Sequence, residues 1–333
     1  MQIKVLKNKE DVLLLKDAWE ELFDKGNYTI FQSFTYCYNS LFKQTKPFVI
    51  CYYKDGELVE IWPLELKRNK LIFINDTHAD FCDIISETSS LIVIDFLKEN
   101  HLASLLRLKN LKKNNIVIKK TESIKVKKIS FTLNYSLLKI GKSDKFPDNF
   151  NHFVYRKKRR LRRILNKYNY NTVLYEIESS NFPIDKIIEL RSQMINNKMR
   201  DNSFLNNNLI SLTESLYKSG NLVVNELLID SHTTAISLIF KKGYCFSFWI
   251  DLFNNQQMMN LVSNTAFIKE ITQKNSATFN FGRGDYSYKI QNFGPKVIPL
   301  YELNTYSTVV EKYVSLFLKS VNLFLKKLYK KYR

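Results

Sequence analysis

One order of elements occurs twice in this chain, and each occurrence forces two strands to lie parallel. In the first half, FVICYYKDGELVEIWPLEL (48–66) reads as two β-rich runs joined at Asp55-Gly56, a strong hairpin signal. LIFIN (71–75) is a third strand, followed by the polar loop DTHADFCDII, a helix over about 90–108 and a strand, IVIKK (116–120). In the second half, NLVVNELLID and TTAISLIFKK (221–242) read as a hairpin around Asp230-Ser231. YCFSFWI (244–250) is then a strand, NLVSNTAFIKEITQKN (260–275) a helix and SATFNF (276–281) a strand. The match lies in element order, not in residues. A strand–helix–strand connection within one sheet is a right-handed crossover, so its two strands run parallel. Ligands of open α/β sheets bind at the carboxyl ends of such strands. The second half therefore places a site at Trp249, Asp251, residues 252–259 and Gly282-Arg283-Gly284-Asp285, and the first half at the loop Asp76–Asp83.

A chain of 333 residues that is 45% hydrophobic has ample material for two cores. KIGKSDKFPDNFN (139–151) gathers Gly, Pro, Asp and Asn, which sets the expected boundary: one domain over 1–145 and a second over 146–333. An opening strand MQIKVL and a helix over about 9–24, with Val12, Leu15, Trp19, Leu22 and Phe23 on one side, belong to the first.

The net charge is +19, and fifteen of those charges sit in two acid-free segments, 149–175 and 312–333. Local basicity of this kind suits phosphates, an anionic membrane surface or an acidic partner. Cys37, Cys51, Cys82 and Cys245 show no metal spacing, so reduced thiols and no metal site are expected. The N-terminus is charged throughout, and no uncharged apolar run reaches the ~18 residues of a spanning helix. The expected location is the cytoplasm, with the basic segments able to approach the inner membrane face.

Several motifs together resemble the GNAT (Gcn5-related N-acyltransferase) superfamily. They are most similar to the CelD-like acetyltransferases of polysaccharide biosynthesis, relatives of the Fem-type aminoacyl transferases. Trp19 with Leu22, then Phe31-Gln32-Ser33 and Tyr36, resemble that family's entry motif, and Trp62-Pro63-Leu64 its hairpin strand. Asp80-Phe81 and Asp83 stand where it has an acidic-aromatic loop; RKKRRLRR (156–163), Arg191 and FNFGRGDYSYK (279–289) match its later elements. The resemblance implies an α/β (α+β) fold of two tandem GNAT-like domains, each a mixed sheet flanked by helices. It also implies acyl-CoA, such as acetyl-CoA, as co-substrate and a nucleotide-sugar or glycan-precursor acceptor. One departure stands out: FNNQQMMNLVSN (253–264) has no glycine where such enzymes carry a Gly-rich turn for the CoA pyrophosphate, leaving Asn260 or Ser263 as caps of a helix N-terminus.

Asp285 is the candidate proton acceptor or substrate hydrogen-bond acceptor. Arg283, Tyr286, Tyr288 and Lys289 suit an anionic, ring-containing ligand, with a tight structural turn as the plainer alternative. Asp80, Asp83, Arg191 and Trp249 complete the candidate substrate-binding set. The basic helix over about 153–168 turns Val154, Leu161, Leu165 and Tyr168 to one side, and its other side suits lipid head groups or tRNA; nothing points to DNA. The seam Val310, Val314, Phe317, Val321, Phe324 and Leu328 predicts a C-terminal helix docked on its own domain or on a partner helix. Three functions follow: an acyl-CoA-dependent N-acyltransferase, a transferase using charged tRNA, and a non-catalytic binding scaffold.

Overall fold

A computed structural model describes the chain except residues 142–145, 147–154, 179, 255–257, 285–286 and 332–333, and gives the backbone alone at 155–158, 274, 287–288, 316, 319, 322–324 and 326–331. Its elements, in order, begin with β1 (Gln2–Leu6), α1 (Lys9–Leu13), α2 (Lys16–Asp24), α3 (Phe34–Asn39), β2 (Pro47–Lys54), β3 (Glu57–Lys67), β4 (Lys70–Phe73) and β5 (Ile85–Ser86). There follow α4 (Ile92–Glu99), β6 (Arg107–Lys112), α5 (Ile116–Lys120), β7 (Lys127–Ile140), α6 (Tyr155–Asn166), β8 (Tyr170–Tyr175), α7 (Ile184–Asn196) and α8 (Asn207–Lys218). The rest are β9 (Leu222–Ile229), β10 (His232–Lys242), β11 (Cys245–Phe253), α9 (Met259–Lys274), β12 (Ala277–Arg283), α10 (Ser287–Phe293), β13 (Lys296–Thr305) and α11 (Val309–Lys331). The protein is thus a mixed α/β chain, and in its second half antiparallel strands lead into a parallel crossover pair.

Contacts divide the chain into two units, Met1–Thr132 with Leu300–Arg333, and Leu133–Pro299. The boundary expected at residue 145 lies outside the described residues. The division found here differs from a single cut: the chain leaves the first unit along β7 and returns to it along β13.

In the first unit β1, β2, β3 and β4 pair antiparallel in that order. The β2–β3 hairpin turns at Asp55 and Gly56, both at positive φ, the geometry that twists with the strands. Asn8 starts α1 by accepting from the Asp11 N–H at 2.7 Å. The expected first helix is broken into α1 and α2 at Leu14–Leu15. Trp19, Tyr36 and Trp62 are fully buried, and among them lies an ion pair: Lys120 Nζ meets the buried Glu60 carboxylate at 2.7 Å. Trp62 Nε1 and Ser86 Oγ also donate to Glu60, so its lone pairs are occupied. Removing one member of such a pair leaves a buried charge and costs about 3–5 kcal/mol.

IVIKK, expected as a strand, is the helix α5; the strand returning from α4 is Arg107–Lys112 instead. A β-branched run favours a strand, but here Asp83 accepts from the N–H groups of Ile116 (2.9 Å) and Val117 (3.1 Å), which opens a helix. β6 finds its antiparallel partner nearly two hundred residues later, with Leu300 opposite Lys112 and Asn304 opposite Arg107.

In the second unit β8, β9, β10 and β11 pair antiparallel, β11 and β12 parallel, and β12 and β7 antiparallel. α6, α9 and α10 share one side: α6 contacts both others, and α9 packs on β10. The core there is aromatic, with Phe246 stacked on Phe279, Phe248 on Phe281, and Phe281 on Phe293. Along the expected seam of α11, Val310 is 71% exposed and Phe317 69%, so these described positions are not covered by the chain's own domain; the side chains of Phe324 and Leu328 lie outside the described residues. Spacing shows that one face of a helix is apolar, not what covers it.

A fragment ending at residue 145 lacks the strand that pairs with β6 and the Glu302 partner of Arg107 (2.8 Å). Expressed alone, 1–145 is expected to aggregate or melt without a cooperative transition in circular dichroism. Joining 296–333 to it through a flexible linker is expected to restore cooperativity.

Candidate functional site

β11 and β12 are hydrogen-bonded neighbours only over Cys245–Ser247 and Thr278–Asn280. Both continue, to Phe253 and Arg283, with no further pairing between them among the described residues. Two parallel strands that share a root and then part leave an opening at their carboxyl ends, where the crossover topology places a ligand.

A bulge sets what faces that opening. Phe248 pairs with Ile239 and Ile250 with Leu238, so Trp249 is the extra residue on β11. Phe246 and Phe248 point toward α9, their rings 5.3 and 5.8 Å from Phe267. Strict alternation would turn Asp251, three residues past Phe248, to the other face. The extra residue restores it to the α9 face, opposite Ser237. Asp251 there joins a row of buried polar groups. Asn264 Nδ2 lies 3.4 Å from its Oδ2, Ser237 Oγ donates to Asn264 Oδ1 (3.1 Å), and Asn225 Nδ2 to Ser263 Oγ (3.1 Å). Asp251 Oδ1 and Asn225 Oδ1 are buried with no hydrogen-bond partner. Burial raises the Asp251 carboxyl above the usual range, opposed by hydrogen bonds from Ser237 and Asn264 and by the charges of Lys289 and Arg200.

The far rim is closed by side chains. Gly282 and Gly284 both have positive φ, which lets the end of β12 turn while the Gly284 N–H still reaches Asn134 O at 2.8 Å. Asn280 Oδ1 accepts from the Gly282 N–H, and the buried Lys289 donates to the carbonyls of Phe281 and Arg283. Lys289 therefore finishes a strand end, and the Arg283 backbone pairs with Tyr135 of β7. Asp285 and Tyr286 lie outside the described residues, as does the Tyr288 side chain.

α9 begins at Met259, and its N-cap is Met258, a non-glycine residue at φ 71° with no side-chain cap. Neither Asn260 nor Ser263 caps it. Asn260 sits in the first turn; Ser263, one turn on, is buried against Asn225. An N-terminus without a side-chain cap keeps backbone N–H groups available to an anion, which fits a pyrophosphate, although without glycine. Trp249 packs its ring 4.7 Å from Phe240. Arg191 donates to the carbonyls of Phe204 (2.8 Å) and Asn202 (3.1 Å), tying down the loop after α7. Asn225, Ser237 and Asn264 were not anticipated; their signal is a polar residue interrupting an apolar run, as in LVVNELLI.

In the first unit Asp80 is buried, and Asp83 accepts from three backbone N–H groups, of Ile84, Ile116 and Val117. Burial pushes the Asp83 carboxyl up to about 6 against those hydrogen bonds. A cavity of about 370 Å³ adjoins it, lined by Tyr28, Gln32, Phe81, Asp83, Lys112 and Asn115. Lys112 lies 4.2 Å from the Phe81 ring centre, and burial lowers its ammonium below the usual range. Among the described residues no three His, Cys, Asp or Glu side chains are placed to hold a metal ion, and no helix is long and apolar enough to cross a membrane.

No protein-family model and no curated protein matches the sequence. Solved structures do match. The chain is similar to the C-terminal DUF2156 domain of an Agrobacterium fabrum protein assigned as a lysylphosphatidylglycerol synthetase, with TM-score 0.61, 10% identity, and 94% of this chain and 97% of that one covered. It is similar to L-PGS from Bacillus licheniformis (TM-score 0.62, 10% identity, 91% and 96% covered) and to FemX (0.58, 11%, 91% and 97%). At these identities the likeness shows a shared fold.

Because the folded chain holds the Asp83 proton to higher pH than the unfolded chain, the group favours folding below pH 3.8, and that contribution is lost as pH rises through about 6. Asp83→Asn is expected to flatten the fall in stability across this window, measured by denaturant melts at stepped pH.

Proposed function

We propose that the chain is an acyltransferase whose transfer centre is the opening between β11 and β12. Its donor is an acyl thioester of the acyl-CoA type, and its acceptor an amine on a nucleotide sugar or related glycan precursor of the cell surface. The observation that carries this reading is Asp251, returned by the Trp249 bulge to the α9 face with one buried carboxylate oxygen unpartnered. A carboxyl whose pKa burial raises, at the end of a crossover pair, is suited to take a proton.

In the reaction the amine nitrogen attacks the thioester carbonyl carbon. A C–N bond forms, the C–S bond breaks, the proton released by nitrogen passes to Asp251 directly or through one water, and the sulfur leaves to be protonated as thiol. The chain's task is to orient the two reactants and remove the proton; no covalent enzyme intermediate is required. CoA, when bound, supplies the activated acyl group, and the N-terminus of α9 would hold its pyrophosphate. The resemblance to CelD-like enzymes supports the saccharide acceptor, and the basic segments support work near an anionic inner membrane face.

The test is thiol release from acetyl-CoA with a panel of UDP-amino sugars. Asp251→Asn is expected to lower turnover by roughly 10²-fold with an unchanged melting profile. No thiol release with any acceptor, together with no CoA binding by calorimetry, would overturn the reading.

A second reading keeps the centre and changes the donor to an aminoacyl-tRNA. It is favoured by α6, which buries Leu161, Ile164 and Leu165 and exposes Arg159, Arg160, Arg162 and Arg163. Under it, the protein is expected to bind charged tRNA with steep salt dependence in filter binding. Replacing the four arginines by alanine would reduce the slope of log K against log salt by up to about one unit per lost phosphate contact.

A further inference from the structure

The first unit repeats the device of the second with a different lining. β4 and β6 are joined through α4 and meet in one parallel bridge, Leu71 to Leu106, beyond which they are not paired among the described residues. Between them lies a cavity of about 330 Å³, whose charged lining is Lys67, Arg68, Lys70, Asp76, Arg107 and Lys109. Five cations around one cavity repel each other unless something neutralises them.

Three of the five meet a carboxylate of the same unit, Lys109 only the Asp76 Oδ2 oxygen at the cavity itself. Arg107 Nε is 2.8 Å from Glu302, and Lys70 Nζ donates to Ser104 O (3.2 Å) with Glu311 at 3.8 Å. Lys67 and Arg68 make no ion pair among the described residues; Lys109 reaches only Asp76, at 4.0 Å. Glu65, buried nearby, is held above the usual carboxyl range by burial, which Lys67 opposes. The chain also bends against preference to place them. Lys67-Arg68-Asn69-Lys70 is the β3–β4 turn, with Arg68 and Asn69 at φ 50° and 57°, where a β-turn of this kind favours glycine or asparagine.

Asp76 supplies the other half of the site. It is 3% exposed, and its Oδ2 is buried with no hydrogen-bond partner. A buried carboxylate oxygen beside an anion subsite calls for a donor on the same ligand.

We propose that this cavity binds a phosphorylated ligand bearing a hydroxyl or ammonium group. Its phosphate lies on Lys67, Arg68 and Lys109, and its donor on Asp76 Oδ2. The volume suits a sugar phosphate or a head group of similar size, near the lower end of ordinary ligand pockets. The site belongs to the first unit and does not depend on the transfer reading of the second.

The experiment is calorimetry on the full chain with inorganic phosphate and with glucosamine 6-phosphate, and flotation with vesicles of phosphatidylglycerol or phosphatidylcholine. Glucosamine 6-phosphate is expected to bind at least tenfold more tightly than phosphate. The exposed double variant Lys67→Ala/Arg68→Ala is expected to weaken both at least tenfold. Asp76→Asn is expected to weaken only the sugar phosphate, with phosphate binding and the melting profile unchanged. Binding of the soluble sugar phosphate assigns the source as a soluble ligand. Flotation with phosphatidylglycerol vesicles that is lost in the double variant, without soluble binding, assigns it as a lipid head group. The proposal is overturned if neither form binds, if the double variant binds as the parent does, or if Lys54→Ala, at the opposite end of β3 from the cavity, weakens binding equally.

Discussion

Two parallel strands that part after three paired residues leave a row of backbone groups with no ladder to join, and the second unit is organised around that missing ladder. Buried N–H and C=O groups must be satisfied somewhere. The chain answers with side chains: Lys289 on the carbonyls of Phe281 and Arg283, Asn280 on the N–H of Gly282. The strands are held at their separation by rings rather than by hydrogen bonds. Phe248 stacks on Phe281 at 5.3 Å and Phe281 on Phe293 at 4.6 Å, pairs of this kind contributing about 0.5–1.5 kcal/mol beyond their burial. The core thus keeps an opening rigid that a continued ladder would have closed.

The same backbone device appears in each unit, but its walls differ. In the second unit the described groups gathered at Asp251 are the neutral Ser237 and Asn264, with the charges of Lys289 and Arg200 also acting on it. In the first unit the corresponding opening is lined by cations and one buried carboxylate.

Much of this was legible in the sequence because it is local. The Asp55-Gly56 and Asp230-Ser231 turns, the helix α9 and the Gly282–Gly284 strand end all rest on patterns shorter than twenty residues. What escaped is set by distant partners. IVIKK carries strand propensity, and only the carboxylate of Asp83, more than thirty residues earlier, makes it a helix. The Trp249 bulge exists only relative to β10, so nothing inside YCFSFWI announces it, and with it goes the direction of Asp251. Glu60 and Lys120 are sixty residues apart and each looks like an ordinary surface charge until both are found buried. Topology pointed to Trp249, Asp251 and residues 282–284 at the second opening; Asn225, Ser237 and Asn264 beside Asp251 came only with the register.

The return of the chain along β13 has a consequence for biosynthesis. A ribosome releases β6 long before it releases Leu300–Asn304, the segment that covers its edge. Throughout the synthesis of all 167 residues of the second unit, the earlier one carries an open strand edge, the surface on which chains cross-pair. The order of completion is therefore inverted: the half translated first is the half finished last. Slow translation through the second unit would prolong the interval in which neighbouring nascent chains on one message can pair with each other instead of with themselves.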